Sequence, residues 1–231
     1  LLTERAKTVD VEQLTFGMRN ENDVFATDVA GNDTETTFKT NLDSEVEVKL
    51  PIIGEYNVMN ALAAITVGNR YHVGIADSAR ALADFNLTKN RTEWLKGRQG
   101  ERILSDVYNS NPTAAKAVLN SFAHTKKTGR RFVVLGDMLE LGEDADQMHA
   151  QLADNLDPAQ FEEVFLVGAH MQALGKRLVD EKIYPAEAVH LYAANELPQL
   201  TADLQHKIKA DDCVLLKASH GIHLEKVVEE L

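Results

Sequence analysis

Four charged residues stand just beyond short apolar runs, and their positions carry the first hint of chemistry. Asp106 follows Ile103-Leu104, Asp137 and Glu140 follow Phe132-Val133-Val134-Leu135, and Lys217 follows Cys213-Val214-Leu215-Leu216. In an α/β sheet the segments after successive strands gather at one edge, where carboxylates suit a ribose or a cation and an ammonium suits an anionic group. The richest of these segments is Asp106-Val107-Tyr108-Asn109-Ser110-Asn111-Pro112-Thr113. Asn111 is a good N-cap and Pro112 suits the first helical position, so the backbone turns sharply here and offers free N–H groups at a helix start. Turn chemistry alone accounts for Gly136, Gly142, Gly221 and Asn111 taken singly. It is the co-occurrence of the three loops, the third being Lys217-Ala218-Ser219-His220-Gly221, that points to a polar ligand. Nothing in them specifies a reaction.

Other constellations carry less. His220 and His223 are three apart, but no cysteine or third close ligand completes a zinc pattern, so solvated or capping roles are expected. His149 is expected at the surface, near the loop from Gly136 to Gly142. Ser110, Ser121 and Ser219 lack the G-x-S-x-G elbow of a serine hydrolase, and Trp94 reads as packing. Neither a G-x-x-x-x-G-K-[ST] phosphate loop nor a G-x-G-x-x-G fingerprint occurs, so if ATP is used its main phosphate cradle lies elsewhere.

The elements that must position these residues follow from the periodicity. Residues 1 to 50 read as short strands joined by polar turns, with the clearest alternation in Glu45-Val46-Glu47-Val48-Lys49-Leu50. A helix is expected from Asn57 to Asn69, with Asn57 as its N-cap, and a second from Ile75 to Phe85. From Arg91 onward, apolar runs alternate with amphipathic stretches. Helices are expected over Pro112 to Ala123, Ala145 to Asn155, Met171 to Asp180 and Glu196 to Ile208, with a last one from Gly221. That rhythm argues for an α/β protein: a doubly wound, mostly parallel sheet preceded by a separate α/β segment, with a boundary near Phe85 to Lys89.

The bulk numbers fit. A chain of 231 residues with 44% hydrophobic content buries a sizeable core. A net charge of −12 with no local basic patch argues against nucleic-acid and membrane-surface partners. The single cysteine, Cys213, excludes an internal disulfide and fits a reducing, cytoplasmic setting. No apolar run approaches a membrane span and the start lacks a signal-peptide pattern. The first residue is Leu1 rather than methionine, which raises the expectation of a fragment.

Five blocks resemble, in order and spacing, the second half of the Mur ligases. They are Gly54-Glu55-Tyr56-Asn57-Val58-Met59-Asn60-Ala61-Leu62-Ala63-Ala64, Arg91-Thr92-Glu93, Asp106 to Pro112, Leu135 to Gly142 and Lys217 to Glu225. The third and fourth are most similar to the branch that adds D-alanyl-D-alanine to UDP-N-acetylmuramoyl-tripeptide in peptidoglycan synthesis. The resemblance implies residues 1–87 as the tail of an ATP-binding central domain and 88–231 as a complete Rossmann-like C-terminal domain, in a truncated form or proteolytic product that is inactive alone. It implies a cytoplasmic enzyme, monomeric at full length, that uses ATP and Mg²⁺, with the main phosphate and metal ligands outside this chain. Asn57, Asn60, Arg91, Asp106 and Asn109 are then nucleotide-binding. Tyr108, Asn111, Asp137, Glu140, Lys217 and Ser219 lie at the substrate or a domain interface; no residue of the chain is assigned a catalytic role and none a metal. Two positions depart from the family pattern, Tyr56 where a histidine is usual and His220 where an arginine is usual, and a histidine cannot reproduce an arginine's bidentate grip. The residues also leave open another Mur ligase, a folylpolyglutamate synthetase-like enzyme, or a non-catalytic α/β module that binds a small ligand.

Overall fold

A computed structural model describes residues 5–6, 8–32, 34–84, 89–126 and 128–231, in which two units, Leu1–Asn86 and Leu87–Leu231, each hold a core of their own. The expected boundary and the end of the second helix at Phe85 fall on 85–88, outside the described residues.

In the first unit, β1 (Phe16–Gly17) runs parallel to β2 (Val24–Gly31), and β3 (Thr36–Thr40) and β4 (Asp43–Leu50) continue the four-stranded sheet antiparallel. The alternation of β4 works as period two requires: Val48 and Leu50 are buried while Glu45, Glu47 and Lys49 face out. Two helices, α1 (Tyr56–Arg70) and α2 (Ile75–Ala83), cover this sheet, and Val58, Leu62 and Ile65 recur at helical spacing on the buried side of α1. Asn57 is not its N-cap. The helix starts one residue earlier with Glu55 at the cap position, and Asn57 lies buried in the first turn, where its amide donates to the Ile53 carbonyl at 2.9 Å. Gly54 permits this entry: its φ is +101°, and a Cβ would strike the Tyr56 ring.

The second unit is the doubly wound sheet. In chain order its strands are β5 (Glu93–Lys96), β6 (Arg102–Asp106), β7 (Arg131–Gly136), β8 (Glu163–Val167), β9 (Val189–Tyr192) and β10 (Cys213–Lys217). In space the order is β5-β6-β10-β7-β8-β9, parallel throughout except for the antiparallel edge strand β5. Every residue of β7 and β10 is buried, which is why they read as continuous apolar runs rather than alternating ones. The edge strand β5, short and half-buried, gave no such run and was not anticipated.

Helices lie on both faces. One face, with Ile103, Phe132, Val134, Phe165, Val214 and Leu216, packs against Leu200 and Leu204 of α6 (Leu197–Lys207) and Val227 of α7 (Glu225–Glu230). On the other face Trp94 meets Phe122 of α3 (Pro112–Ala123) with ring centroids 6.2 Å apart. There Gly175 of α5 (Met171–Asp180) sits so close that a Cβ would stand 2.8 Å from Leu191 and 3.3 Å from Leu166. Two expected helices are shorter than anticipated. Ala145 to Asn155 divides into α4 (Ala145–Ala150) and a 3₁₀ turn, Gln151–Asn155, while the last helix begins at Glu225 after a 3₁₀ turn, His220–Ile222.

The topology decides which loops lie side by side. From β6 the chain passes over β10 to β7 and steps outward to β9, then returns across the opposite face through α6 to place β10 between β6 and β7. Crossover direction reverses there, and a crevice opens outside the carboxyl ends of the strands at such a point. The register puts Lys217 level with both Asp106 and Leu135, so the loops after β6, β10 and β7 emerge side by side. Phe132 is fully buried in the apolar cluster beneath α6 and α7, and Phe132→Ala is expected to cost about 3–5 kcal/mol. Tyr71→Ala, at a side chain 77% exposed, should change stability by no more than about 0.5 kcal/mol. Urea unfolding of the two variants checks the contrast.

Candidate functional site

The ends of β6 and β10 are joined by an ion pair. Lys217 Nζ lies 2.8 Å from Asp106 Oδ2, and it donates to the Asn109 carbonyl at 2.7 Å. The lysine side chain is 1% exposed and that of Asp106 14%. Burial lowers the Lys217 pKa and nearby Arg91 lowers it further, while the Asp106 carboxylate opposes both. The other oxygen of Asp106, Oδ1, accepts from the Thr92 backbone N–H at 3.2 Å. One carboxylate thus holds the chain from Arg91 to Thr92 against the loop that follows β6.

The outer layer of this edge is exposed. The guanidinium of Arg91 lies 4.4 Å from the Tyr108 ring centroid, an attraction to the negative ring face. The His220 ring is on the same aromatic side chain, 5.9 Å away by centroids. Asn90, left-handed at φ +63°, ties this layer down: its carbonyl accepts from Tyr108 N–H at 3.2 Å and its side-chain oxygen accepts from Ser105 Oγ at 3.0 Å. Asn111 caps α3 as anticipated, its Oδ1 accepting from Ala114 N–H at 2.9 Å. The Asn109 side chain stays exposed.

The loop after β7 is organised differently. Asp137 does not face Asp106; its carboxylate accepts from Met171 N–H at 2.9 Å and His170 N–H at 3.3 Å, at the start of α5. Gly168, with φ +118°, makes room, since a Cβ there would overlap that carboxylate. Ser219 Oγ accepts from Leu139 N–H at 3.0 Å and so joins the β10 loop to the β7 loop. Glu140 is exposed with a left-handed backbone at φ +64°. The four charged residues therefore divide, with Asp106 and Lys217 paired, Asp137 turned to α5, and Glu140 facing solvent.

His149 corrects an expectation, for it is fully buried rather than at the surface. Its Nε2 accepts from Met138 N–H at 2.8 Å, which leaves Nδ1 as the donor to the Ala145 carbonyl at 2.6 Å. That is a neutral imidazole shaping the β7 loop. Sequence reasoning also missed the roles of Thr92, which binds Asp106 through its backbone N–H, and of Asn90, which uses both its carbonyl and its side-chain oxygen. His223 bonds Glu225 Oε1 at 3.0 Å and His220 stands 3.9 Å from Glu225 Oε2, both histidines being exposed. Among the described residues no cluster of three or more His, Cys, Asp or Glu is placed to hold a metal ion. In the first unit Asn60 Nδ2 bonds Asn57 Oδ1 at 3.3 Å, and Asn60 is exposed.

The strand order reverses at β10 and places the polar loops after β6, β10 and β7 along one carboxyl edge, the arrangement of a doubly wound α/β unit, which a smaller α/β unit precedes in the chain. The sequence profile of the Mur ligase glutamate ligase domain matches residues 90–220, and that of the Mur ligase middle domain matches residues 1–68. The chain belongs to the Mur ligase family. It is 31% identical over 217 residues to the UDP-N-acetylmuramoyl-tripeptide–D-alanyl-D-alanine ligase of Bacillus subtilis, an alignment covering 94% of this chain and 46% of that protein. The crystal structure of MurF from Acinetobacter baumannii superposes with a TM-score of 0.80 and 26% identity, covering 100% of this chain and 48% of the other. That of MurF from Thermotoga maritima, in complex with ADP, gives 0.73 at 24% identity, covering 94% and 47%. The chain spans about half the length of the relatives it matches. No helix among the described residues is long and apolar enough to cross a membrane.

His149 generates a pH dependence. Desolvation holds its imidazole below the ordinary value of 6.5, against the opposing pull of the Ala145 carbonyl and Asp137, with His170 adding to the lowering. The unfolded chain then takes up a proton that the folded one refuses, so stability falls as pH drops below about 6.5 and this contribution is complete above it. His170 acts in the opposite sense, its pKa raised by the bond to Asp146. In His149→Gln, which keeps His170, Asp137 and Asp146, the stability advantage of the parent should shrink as pH is lowered, read by urea unfolding on both sides of the histidine range.

Proposed function

We propose that this chain is part of an ATP-dependent ligase that joins D-alanyl-D-alanine to UDP-N-acetylmuramoyl-tripeptide. The observation that carries this reading is the similarity to the Bacillus subtilis ligase of that name along 94% of this chain. In the reaction, the γ-phosphoryl group of ATP passes to the terminal carboxylate of the tripeptide, giving an acyl phosphate and ADP. The dipeptide amine, having lost a proton, attacks the carbonyl carbon, an amide bond forms, and orthophosphate leaves. Positioning and charge stabilisation do most of the work in such a transfer. Mg²⁺ supplies neutralisation of the phosphate charge.

This chain's part is to hold the nucleotide and orient the acceptor. Arg91 is suited to phosphate oxygens because the Tyr108 ring, rather than a carboxylate, fixes its guanidinium. Asp106 is suited to ribose hydroxyls, since an ionised carboxylate has acceptor sites beyond the two engaged by Lys217 and Thr92. Asn57 and Asn60 are assigned to the adenine side, and Tyr108, Asn109 and Asn111 to the nucleotide or the dipeptide. The chain has no phosphate loop of its own, so the phosphate cradle is assigned to another part of the ligase.

The test is amide formation by the ligase that contains this chain, with the acceptor varied among D-alanyl-D-alanine, L-alanine and D-glutamate, and with folylpolyglutamate synthesis assayed alongside. ADP release should require D-alanyl-D-alanine together with the tripeptide. Arg91→Ala should lower kcat/KM for ATP by roughly 10²-fold, the scale of losing one charge-stabilising contact. Turnover with a different acceptor, or an unchanged ATP dependence in Arg91→Ala, would contradict the assignment.

A further inference from the structure

The buried ammonium at the end of β10 poses a question that the proposed chemistry does not answer. A lysine beside a nucleotide edge invites a role on phosphate, yet the Lys217 side chain is 1% exposed and its ammonium already serves two oxygens of the protein. Charged groups are almost never buried this deeply unless paired and hydrogen-bonded, because removing them from water is costly. Lys217 is both, and each partner belongs to the same edge: Asp106 at the last residue of β6, and the carbonyl of Asn109 three residues into the following loop.

We infer that Lys217 is a positioning residue, an internal clamp that gives the loops carrying Arg91, Tyr108 and Asn109 their shape and touches no ligand itself. Its hold on Asn109 is direct. Its hold on Arg91 runs through Asp106, whose Oδ2 it fixes so that Oδ1 can take the Thr92 N–H, one residue beyond Arg91. The two loops are further joined by the bond from Tyr108 N–H to the Asn90 carbonyl. That bond depends on the Asn109 side of the loop staying down. Without the ammonium, Asp106 is left without its counter-ion and the Asn109 carbonyl without its donor, and both loops lose their common anchor. The consequence for nucleotide binding rests on the ligase reading. The clamp itself does not.

The test uses amide hydrogen exchange at Thr92 and Tyr108, whose N–H groups report on the two anchored loops, in the parent chain and in Lys217→Met. Exchange at these two amides should accelerate by roughly tenfold or more, while amides of β7 and β8 keep their protection. Unchanged exchange at both, or an equal acceleration across the sheet, overturns the clamp. If Lys217→Met does not fold, the double variant Asp106→Asn/Lys217→Met removes both charges and carries the exchange comparison alone, with the same expected and contrary results, since Asp106 is itself assigned to the ribose. ADP binding is measured in the intact ligase with and without Lys217→Met. Local acceleration with weakened ADP binding supports both readings. Local acceleration in a chain whose parent, within the intact ligase, binds no ADP supports the clamp and retires the nucleotide role.

Discussion

Two loops at the carboxyl edge of the sheet, at 90–92 and 107–111, rest on one ion pair between neighbouring strands. Lys217 and Asp106 are level in register at the last positions of β10 and β6, 2.8 Å apart and largely withdrawn from solvent. Such a pair contributes little net stability, because desolvation offsets most of the attraction. Its value is in specification. An ammonium that must find two oxygens and a carboxylate that must find two N–H or N⁺–H donors accept few arrangements, and the arrangement they accept brings together the loops at 90–92 and 107–111. The exposed side chains of Arg91, Tyr108 and Asn109 are built on that base, which lies on strand ends rather than on the loops themselves.

A second, independent device fixes the neighbouring loop. Asp137 accepts from the first N–H groups of α5, Ser219 ties the loop to β10, and the neutral His149 supports it from below through Met138 N–H. These bonds satisfy polar groups that the reversal of the chain would otherwise bury without partners. Asp137 thus has a full structural occupation before any ligand is considered, whereas Glu140 on the same loop has none of these bonds and faces solvent.

The sequence made some of this readable and hid the rest for physical reasons. Strands buried on both faces leave unbroken apolar runs, so β7 and β10 were legible, and Asn111 with Pro112 marked the start of α3 by local chemistry alone. The half-buried edge strand β5 leaves no such run, and Asn57 was misplaced as a cap because Gly54 lets the helix begin at Tyr56. The Lys217 bond to Asn109 joins positions 108 apart in sequence, and only the insertion of β10 between β6 and β7 brings them together. His149 misled for the same reason: its burial is set by packing around α4 and α5, and its residue type carries no sign of it.

The family accounts for the architecture, and the proposed reaction assigns the clamped edge to the nucleotide. Residue-resolved amide shifts during an ADP titration of the ligase that contains this chain test that assignment most directly. The account expects the largest shifts at Thr92, Tyr108 and the segment from Lys217 to His220, with Arg130 and Asp212 at the opposite end of the strands unmoved. Shifts confined to Arg130 and Asp212, or to the groove lined by Leu197, Thr201 and Val227 between α6 and α7, would contradict it.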